Sequence, residues 1–408
     1  MQITITKFII FLLSILVILD SLNGYLIFEF SLSITPLIKM GLLVLMISML
    51  LKKRIYTPLV NLLLLLFLNL FHLIAFQDSS GLFLGITWPL KFSLILTTYY
   101  FIIYFIKTDN NALSEIKRII LISFAVLSLN LLLGLLGFGY ETYARQGIGH
   151  KGLFKAGNEV ALLIINLEFI ILVYLIRAQR IVLYLLFSGI FLLLSVILAT
   201  KTAIIGVVIL IITIPIINLL TTLKNLKSIF PIVFFFVAFI VSGPLLFTYT
   251  MKSFNLESRY GKYFKSHNED AIDDFYGARE DWVDVLLNYQ EEKGNTFTYL
   301  FGNSYSTMIE VAEKTSENDL VDIFFIFGFI GVILTYGFFI KNLFLHVGNL
   351  FRRKIFEKTS LFAIYYILLM LIISMTTGHV IMSTISGTTI AIILALLFYQ
   401  LPIINKEK

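Results

Sequence analysis

The residues best able to do chemistry in this chain lie in four short stretches. The first runs from Glu141 to Asn158 and reads ETYARQGIGHKGLFKAGN. It sets Arg145, His150, Lys151 and Lys155 among the glycines at 147, 149, 152 and 157, and ends on Asn158. Glycine lets backbone amides come close to an oxyanion, and a guanidinium takes phosphate oxygens two at a time, so the stretch suits a phosphate or diphosphate. The competing reading is a flexible loop whose cations touch lipid headgroups. Lys201, in the short turn LATKTA, adds a further cation. In the second stretch Arg279 precedes Trp282 at helical spacing, so both side chains leave one side of a helix. The indole would stack on a pyranose and the guanidinium would take its phosphate. The plainer account is an amphipathic helix with Arg279 paired to Glu280, Asp281 or Asp284, and Arg259, in ESRYGKY, is open to the same two readings.

The third stretch, SENDLVDIFFIFGFIGVI, sets Glu317, Asp319 and Asp322 at the mouth of an apolar run. A carboxylate there can take the proton of an attacking hydroxyl. Asp319 also suits the start of a helix by capping and macrodipole, so Glu317 is marginally preferred as base. Gly328 and Gly331 suggest close helix packing. The fourth stretch is the turn TTGHVIMSTISG, where His379 could accept a proton or hydrogen-bond a phosphate, or serve only the fold. Lys91, in TWPLKFS, falls about 14 Å down an apolar segment at 1.5 Å per residue. Glu168, in another apolar segment, is its expected partner.

Apolar segments position all of these. The chain has 408 residues, 59% hydrophobic and 14% charged, with a mean hydropathy of +0.94. That excludes a soluble globular protein. The absence of cysteine excludes disulfides, thiolate metal sites and cysteine nucleophiles. A bilayer core of about 30 Å takes about 20 apolar residues per helix, which gives roughly twelve spans. They fall at 7–26, 34–51, 56–76, 82–106, 119–138, 158–177, 181–199, 202–220, 229–248, 319–341, 359–377 and 381–400. The first lacks a small-residue cleavage site and is read as a retained helix. The expected fold class is an all-α polytopic membrane protein. Residues 1–248 form a membrane part of about nine spans, 249–318 one long extracytoplasmic loop, and 319–408 a second part of about three spans.

Cationic clusters at 52–54, 107–118, 177–180, 224–227 and 341–358 fall in alternate loops, which places those loops and both termini in the cytoplasm. The net charge of +6 is thus accounted for without nucleic acid. Cations in short outer loops run against this bias, so Arg145, Lys151, Lys155 and Lys201 suggest an anionic ligand at the outer face. In the long loop Phe275, Arg279, Trp282, Leu286 and Tyr289 recur at helical spacing and Gly294 is a natural stop. This predicts an amphipathic helix over 271–293.

The order of these pieces resembles the O-antigen polymerase and ligase family, the Wzy-type polymerases of bacterial surface polysaccharides. The similarity covers most of 140–390 and rests on sparse motifs: the R-x-x-G loop from Arg145 to Asn158, the cationic turn at Lys201, and the long loop with Arg279 and Trp282 before LFGNSYS. The ENDLVDIFFIFGFIG entry and the turn at Gly378 and His379 complete the set. Family members often carry Arg where this chain has Lys201. The ligase subgroup has a His-Asn pair where this chain has Glu317, Asn318 and Asp319, which favours polymerase over ligase. The resemblance implies an inverting glycosyltransferase whose donor is an undecaprenyl-diphosphate-linked oligosaccharide. It would work at the outer face of the bacterial cytoplasmic membrane without metal, cofactor or nucleotide sugar. In that reading Arg145, Lys151, Asn158, Lys201, Arg259, Arg279 and Trp282 bind diphosphate and sugar, and Glu317, His379 or Asp319 assists the acceptor hydroxyl. A chain-length regulator and a flippase of the same pathway are the expected partners; a polysaccharide ligase or a lipid-linked oligosaccharide flippase are the alternative activities.

Overall fold

The computed structural model describes residues 2–76, 85–144, 147–222, 279–353, 358–383 and 385–399. The chain is an all-α polytopic membrane protein: among the described residues ten helices are long and apolar enough to cross a membrane. They are α1 (Gln2–Phe30), α2 (Thr35–Lys52), α3 (Thr57–Phe76), α4 (Thr87–Thr108), α5 (Ala112–Leu135), α6 (Gly157–Arg177), α7 (Ile181–Leu198), α8 (Lys201–Thr222), α12 (Asp319–Arg353) and α13 (Lys358–Thr376). A hairpin of β1 (Tyr140–Tyr143) and β2 (Ile148–Gly152) joins α5 to α6, while α9 (Arg279–Lys293), α10 (Thr296–Phe301) and α11 (Tyr305–Ala312) precede α12. The last helix is α14 (Gly387–Phe398). The expected ninth span, 229–248, lies outside the described residues.

Burial sorts the helices by composition. Helix α6 is apolar apart from Asn166 and Glu168 between its first and last turns, and 89% of its most apolar window is buried, so it forms the middle of the bundle against α7, α8 and α14. Helix α3 turns Leu63, Phe67, Leu70 and Ile74 outward, as a lipid-facing helix does. Local chemistry sets the ends. Asn23 reaches from α1 to accept hydrogen bonds from the Ile34 and Thr35 amides at 2.7 and 3.0 Å, so α2 starts level with the polar end of α1. Helix α10 starts on a capping box built by Asn295 and Thr298.

The structure differs from the sequence expectation at four places. The twelfth span is short: α14 has 12 residues, about 18 Å at 1.5 Å per residue. Residues 377–383 and 385–386 are irregular instead, and Gly378 and His379 both take positive φ, 66° and 65°. The fourth helix begins at Thr87, not 82, so Lys91 lies in its first turns rather than deep in the bilayer. Glu168 is fully buried and neither carboxylate oxygen has a hydrogen-bond partner, so the expected Lys91–Glu168 ion pair is not made. The buried pair formed instead is Lys39 with Asp20, at 2.6 Å. Finally, the glycine-rich stretch expected as a loop is an antiparallel hairpin, with Glu141 opposite His150 and Tyr143 opposite Ile148. Its glycines serve backbone conformation and packing. Gly149 and Gly152 have φ of 69° and 61°, and a Cβ on either would come within 2.5 Å of the Leu198 or Asn130 carbonyl oxygen.

The long loop forms a helix over Arg279–Lys293, its inner side carrying Trp282, Leu286 and Tyr289 as the spacing predicts, while Val285 and Leu287 stay exposed, so the apolar residues are less segregated than expected. The first part of the expected range, 271–278, lies outside the described residues. Gln290 joins the buried side, its amide nitrogen donating to Thr298 Oγ1 at 3.2 Å and its amide oxygen accepting from Asn303.

Candidate functional site

Two turns meet where α12 begins and α13 ends. Asn318 caps α12, accepting from the Leu320 and Val321 amides at 3.2 Å each, and its amide nitrogen donates to the Met375 carbonyl at 2.6 Å. The backbone of Glu317, at φ 58°, then lies directly on Gly378. A Cβ at Gly378 would stand 2.3 Å from the Glu317 carbonyl oxygen, so only glycine permits the contact. Glu317 and His379, far apart in sequence, are thereby neighbours, both half-buried.

The two aspartates of this entrance are committed to backbone. Asp319 is 3% exposed and accepts from the amides of His379, Val380 and Ile381 at 2.8–2.9 Å and from Ser374 Oγ at 3.1 Å. Asp322 Oδ1 accepts from the Ser316 amide and hydroxyl at 2.9 and 2.7 Å. Asp319 thus acts as an anchor for the turn opposite rather than as the cap of its own helix, and it is a positioning group for His379. Of the three carboxylates singled out in sequence, Glu317 is the one at the surface of the turn.

A second cluster forms around the hairpin. A Cβ at Gly157 would touch Thr142 on β1 at 2.8 Å and Thr200 at 3.7 Å, so the starts of α6 and α8 meet the first strand there. This brings Asn158, in the first turn of α6, and Lys201, the first residue of α8, to the hairpin. Lys151, on β2, is half-buried with its Nζ 4.9 Å from the centre of the Phe28 ring. Burial pushes its ammonium pKa down from the usual lysine range. Arg145 lies outside the described residues.

Glu159 joins the clusters, and sequence reasoning missed it. Its Oε2 accepts from Ser383 Oγ at 3.1 Å and from the Ile385 amide at 2.8 Å. The segment 379–385 is therefore clamped by Asp319 at one end and by Glu159, next to Asn158, at the other. One irregular segment is fixed to both the cation-bearing hairpin side and the Glu317 and His379 side. The signal that could have found Glu159 is an acidic residue in the first turn of a largely apolar helix.

The remaining candidates are placed unequally. Arg279 starts α9, whereas Arg259 lies outside the described residues. Trp282 packs on the core, and Lys314 Nζ sits 3.3 Å from its ring centre, so an internal cation already covers one face of the indole. Stacking of a sugar there is left with the opposite face. Among the described residues no group of three or more His, Asp or Glu is placed to hold a metal ion. No protein-family model, curated protein or solved structure matches the chain.

Proposed function

We propose that this protein is a bacterial surface polysaccharide polymerase, of O-antigen, capsule or exopolysaccharide type, that joins undecaprenyl-diphosphate-linked oligosaccharides by inverting, metal-independent glycosyl transfer. The observation that carries the reading is the segment 379–385. Clamped by Asp319 and Glu159, it joins a half-buried carboxylate and imidazole at one end to the start of α6, next to the hairpin that bears Lys151, at the other. Such a pairing suits transfer from a diphosphate. Lys151 and Lys201, with Arg145 and Arg279, would stabilise the leaving diphosphate, and Glu317 or His379 would take the acceptor hydroxyl's proton as its oxygen attacks the anomeric carbon from the opposite face. The anomeric bond to the diphosphate breaks as the new glycosidic bond forms. The lipid tail would lie along the apolar helices, with the reaction on the extracytoplasmic side of the cytoplasmic membrane and both termini inside.

The test is a gel of surface polysaccharide and of lipid-linked intermediates from cells lacking the gene, complemented by wild type, Glu317→Gln or Arg279→Ala. Loss of long chains with single repeat units still reaching the outer face is the expected result without the wild-type gene. Full-length chains left on the lipid would mean a ligase, and single units trapped inside a flippase. Either outcome would overturn the polymerase reading.

Lys151 adds a pH signature. Because its folded pKa is lowered, the ammonium is lost at a lower pH than an ordinary lysine would lose it, and any anion it holds is released as pH rises through that value. Polymerisation in membrane vesicles should therefore fall on the alkaline side, and Lys151→Arg, which stays charged, should flatten that limb. An unchanged alkaline limb in Lys151→Arg would remove Lys151 from the anion site.

A further inference from the structure

Away from the two turns, the middle of α6 carries a carboxyl group that the function above does not use. Glu168 follows the helix start by about 16 Å and precedes its end by about 14 Å at 1.5 Å per residue, which sets it near the centre of a bilayer core of about 30 Å. It is fully buried, and neither carboxyl oxygen has a hydrogen-bond partner. An ionisable side chain inside a membrane bundle calls for a role of its own.

The elements packed on α6 offer it neither a cation nor a donor. Tyr184 of α7 and Tyr365 of α13 are the titratable groups within electrostatic reach of Glu168. Tyr184 gives its proton to the Ile211 carbonyl at 2.8 Å. Thr213 Oγ1 gives its own to the Ile209 carbonyl at 2.7 Å, so the 2.5 Å bond between Thr213 and the Tyr365 hydroxyl takes the tyrosine's proton. Tyr366, whose ring packs on Phe169, donates to Asn166 Oδ1 at 2.7 Å. The charges of these helices lie at their ends. Lys201 and Lys358 are the first residues of α8 and α13, Glu159 and Arg177 stand in the first and last turns of α6, Glu115, Lys117 and Arg118 lie near the start of α5, and α14 has none. Among the described residues no cation compensates Glu168. An ionised carboxylate here would face apolar side chains with nothing to balance or solvate it, whereas the neutral acid leaves only ordinary polar groups buried.

We propose that Glu168 is a proton-binding site in the membrane core, its carboxyl held as the neutral acid while α6, α7 and α13 are packed together and ionised only when they part. The step is a dissociation: the O–H bond breaks, the proton passes to water admitted by the opening, and the electron pair stays on the carboxylate, which that water solvates. The proton is thus a ligand of the closed bundle, and rising pH favours the opened one. Helix α6 also carries Glu159, whose Oε2 accepts from the Ser383 hydroxyl and the Ile385 amide, so opening at Glu168 loosens that segment. The site does not rest on the polymerase reading.

The test compares purified full-length wild type with Glu168→Gln in detergent. Infrared difference spectra at neutral pH should show the carbonyl stretch of one carboxylic acid in wild type that the variant lacks. Carboxylate bands lost in its place would overturn the proposal. Equilibrium unfolding between about pH 5.5 and 7.5 gives an independent reading. An unfolded chain releases a glutamate proton above about pH 4.3, while the packed bundle keeps it. The folded-to-unfolded ratio of wild type, relative to that of the variant, should therefore fall about tenfold for each pH unit gained. A relative ratio that did not change with pH would mean that folding takes up no proton at Glu168, and the proposal would fall. Should Glu168→Gln fail to fold, Glu168→Met, apolar and of similar length, replaces it in both measurements. Amide hydrogen exchange at Ile385 tests the link to the segment. At alkaline pH it should be faster in wild type than in the variant, and equal rates would overturn that link.

Discussion

Asp319→Ala is expected to cost about 3–5 kcal/mol of fold stability, the range found when a buried charge is stripped from its partners. The carboxylate accepts four hydrogen bonds, three of them from consecutive backbone amides at 379–381, and these amides have no helix to fall back on because α14 starts only at Gly387. Each buried amide left without an acceptor costs about 1–3 kcal/mol, and relaxation of the turn keeps the total below the sum. Asp319→Asn keeps one acceptor oxygen but turns an NH2 group toward donors, so it should fall between alanine and wild type. Thermal unfolding of the detergent-purified protein measures the series. The comparison that separates anchor from base is with Glu317→Gln, expected to melt like wild type while losing polymer. If Asp319→Ala melted at the wild-type temperature yet lost all polymer, Asp319 would belong to the reaction and the anchoring role would fall.

The sequence discloses the elements that depend on length and composition. Ten of the expected spans appear as long apolar helices, and the buried side of α9 runs through Trp282, Leu286 and Tyr289 as the spacing implies. Both features follow from removing apolar side chains from water or placing them in lipid, which a window of sequence records. What the window cannot record is where a backbone group finds its partner. The hairpin at Tyr140–Gly152 is short, polar and rich in glycine, and it forms because Gly149 and Gly152 let it lie against the ends of α7 and α5. The irregular turn before α14 reads as helix by hydropathy. It is irregular because Asp319, some sixty residues away along the chain, and Glu159, more than 200 residues away, take its amides.

The candidate site divides along the same line. Glu317 and His379 are legible as residue types at the ends of apolar segments, but their proximity depends on Gly378 accepting the Glu317 backbone, a match between two turns that neither turn reveals alone. The pairing of Lys91 failed for a simpler reason. The depth of a charge in an apolar segment depends on where its helix starts, and hydropathy puts that start five residues too early, at 82 rather than Thr87. Counted from Thr87, Lys91 falls level with the first turns of α2, where Lys39 faces Asp20. All three were visible as intramembrane charges, the class of residue most worth explaining in a bilayer.

Gly302→Ala is expected to undock α10 from α12, at a cost of about 3–5 kcal/mol from a positive-φ penalty and an overpacking penalty together. Gly302 takes φ 89°, and a Cβ there would lie 2.0 Å from the Ile326 carbonyl oxygen; the reciprocal residue, Gly328, takes φ 63° and its Cβ would lie 2.4 Å from the Leu300 carbonyl. Gly328 therefore does more than thin a helix surface for packing. It breaks α12 into 319–327 and 329–353, which frees the Phe325 carbonyl to accept from the Asn303 amide at 2.8 Å, while His72 of α3 meets the Phe301 carbonyl at 2.6 Å. Both obstacles are backbone atoms in short, bonded segments, so neither can swing aside as a side chain would. Because the two glycines serve one contact, the second substitution should add little to the first, and the double mutant Gly302→Ala/Gly328→Ala should melt close to the worse single one. A double mutant that lost the sum of both would show two separate contacts instead. Polymer should fall in step with stability, since Thr298 of the docked α10 and Asn303 just after it make the bonds to Gln290 that hold α9, and with it Trp282, over the start of α12.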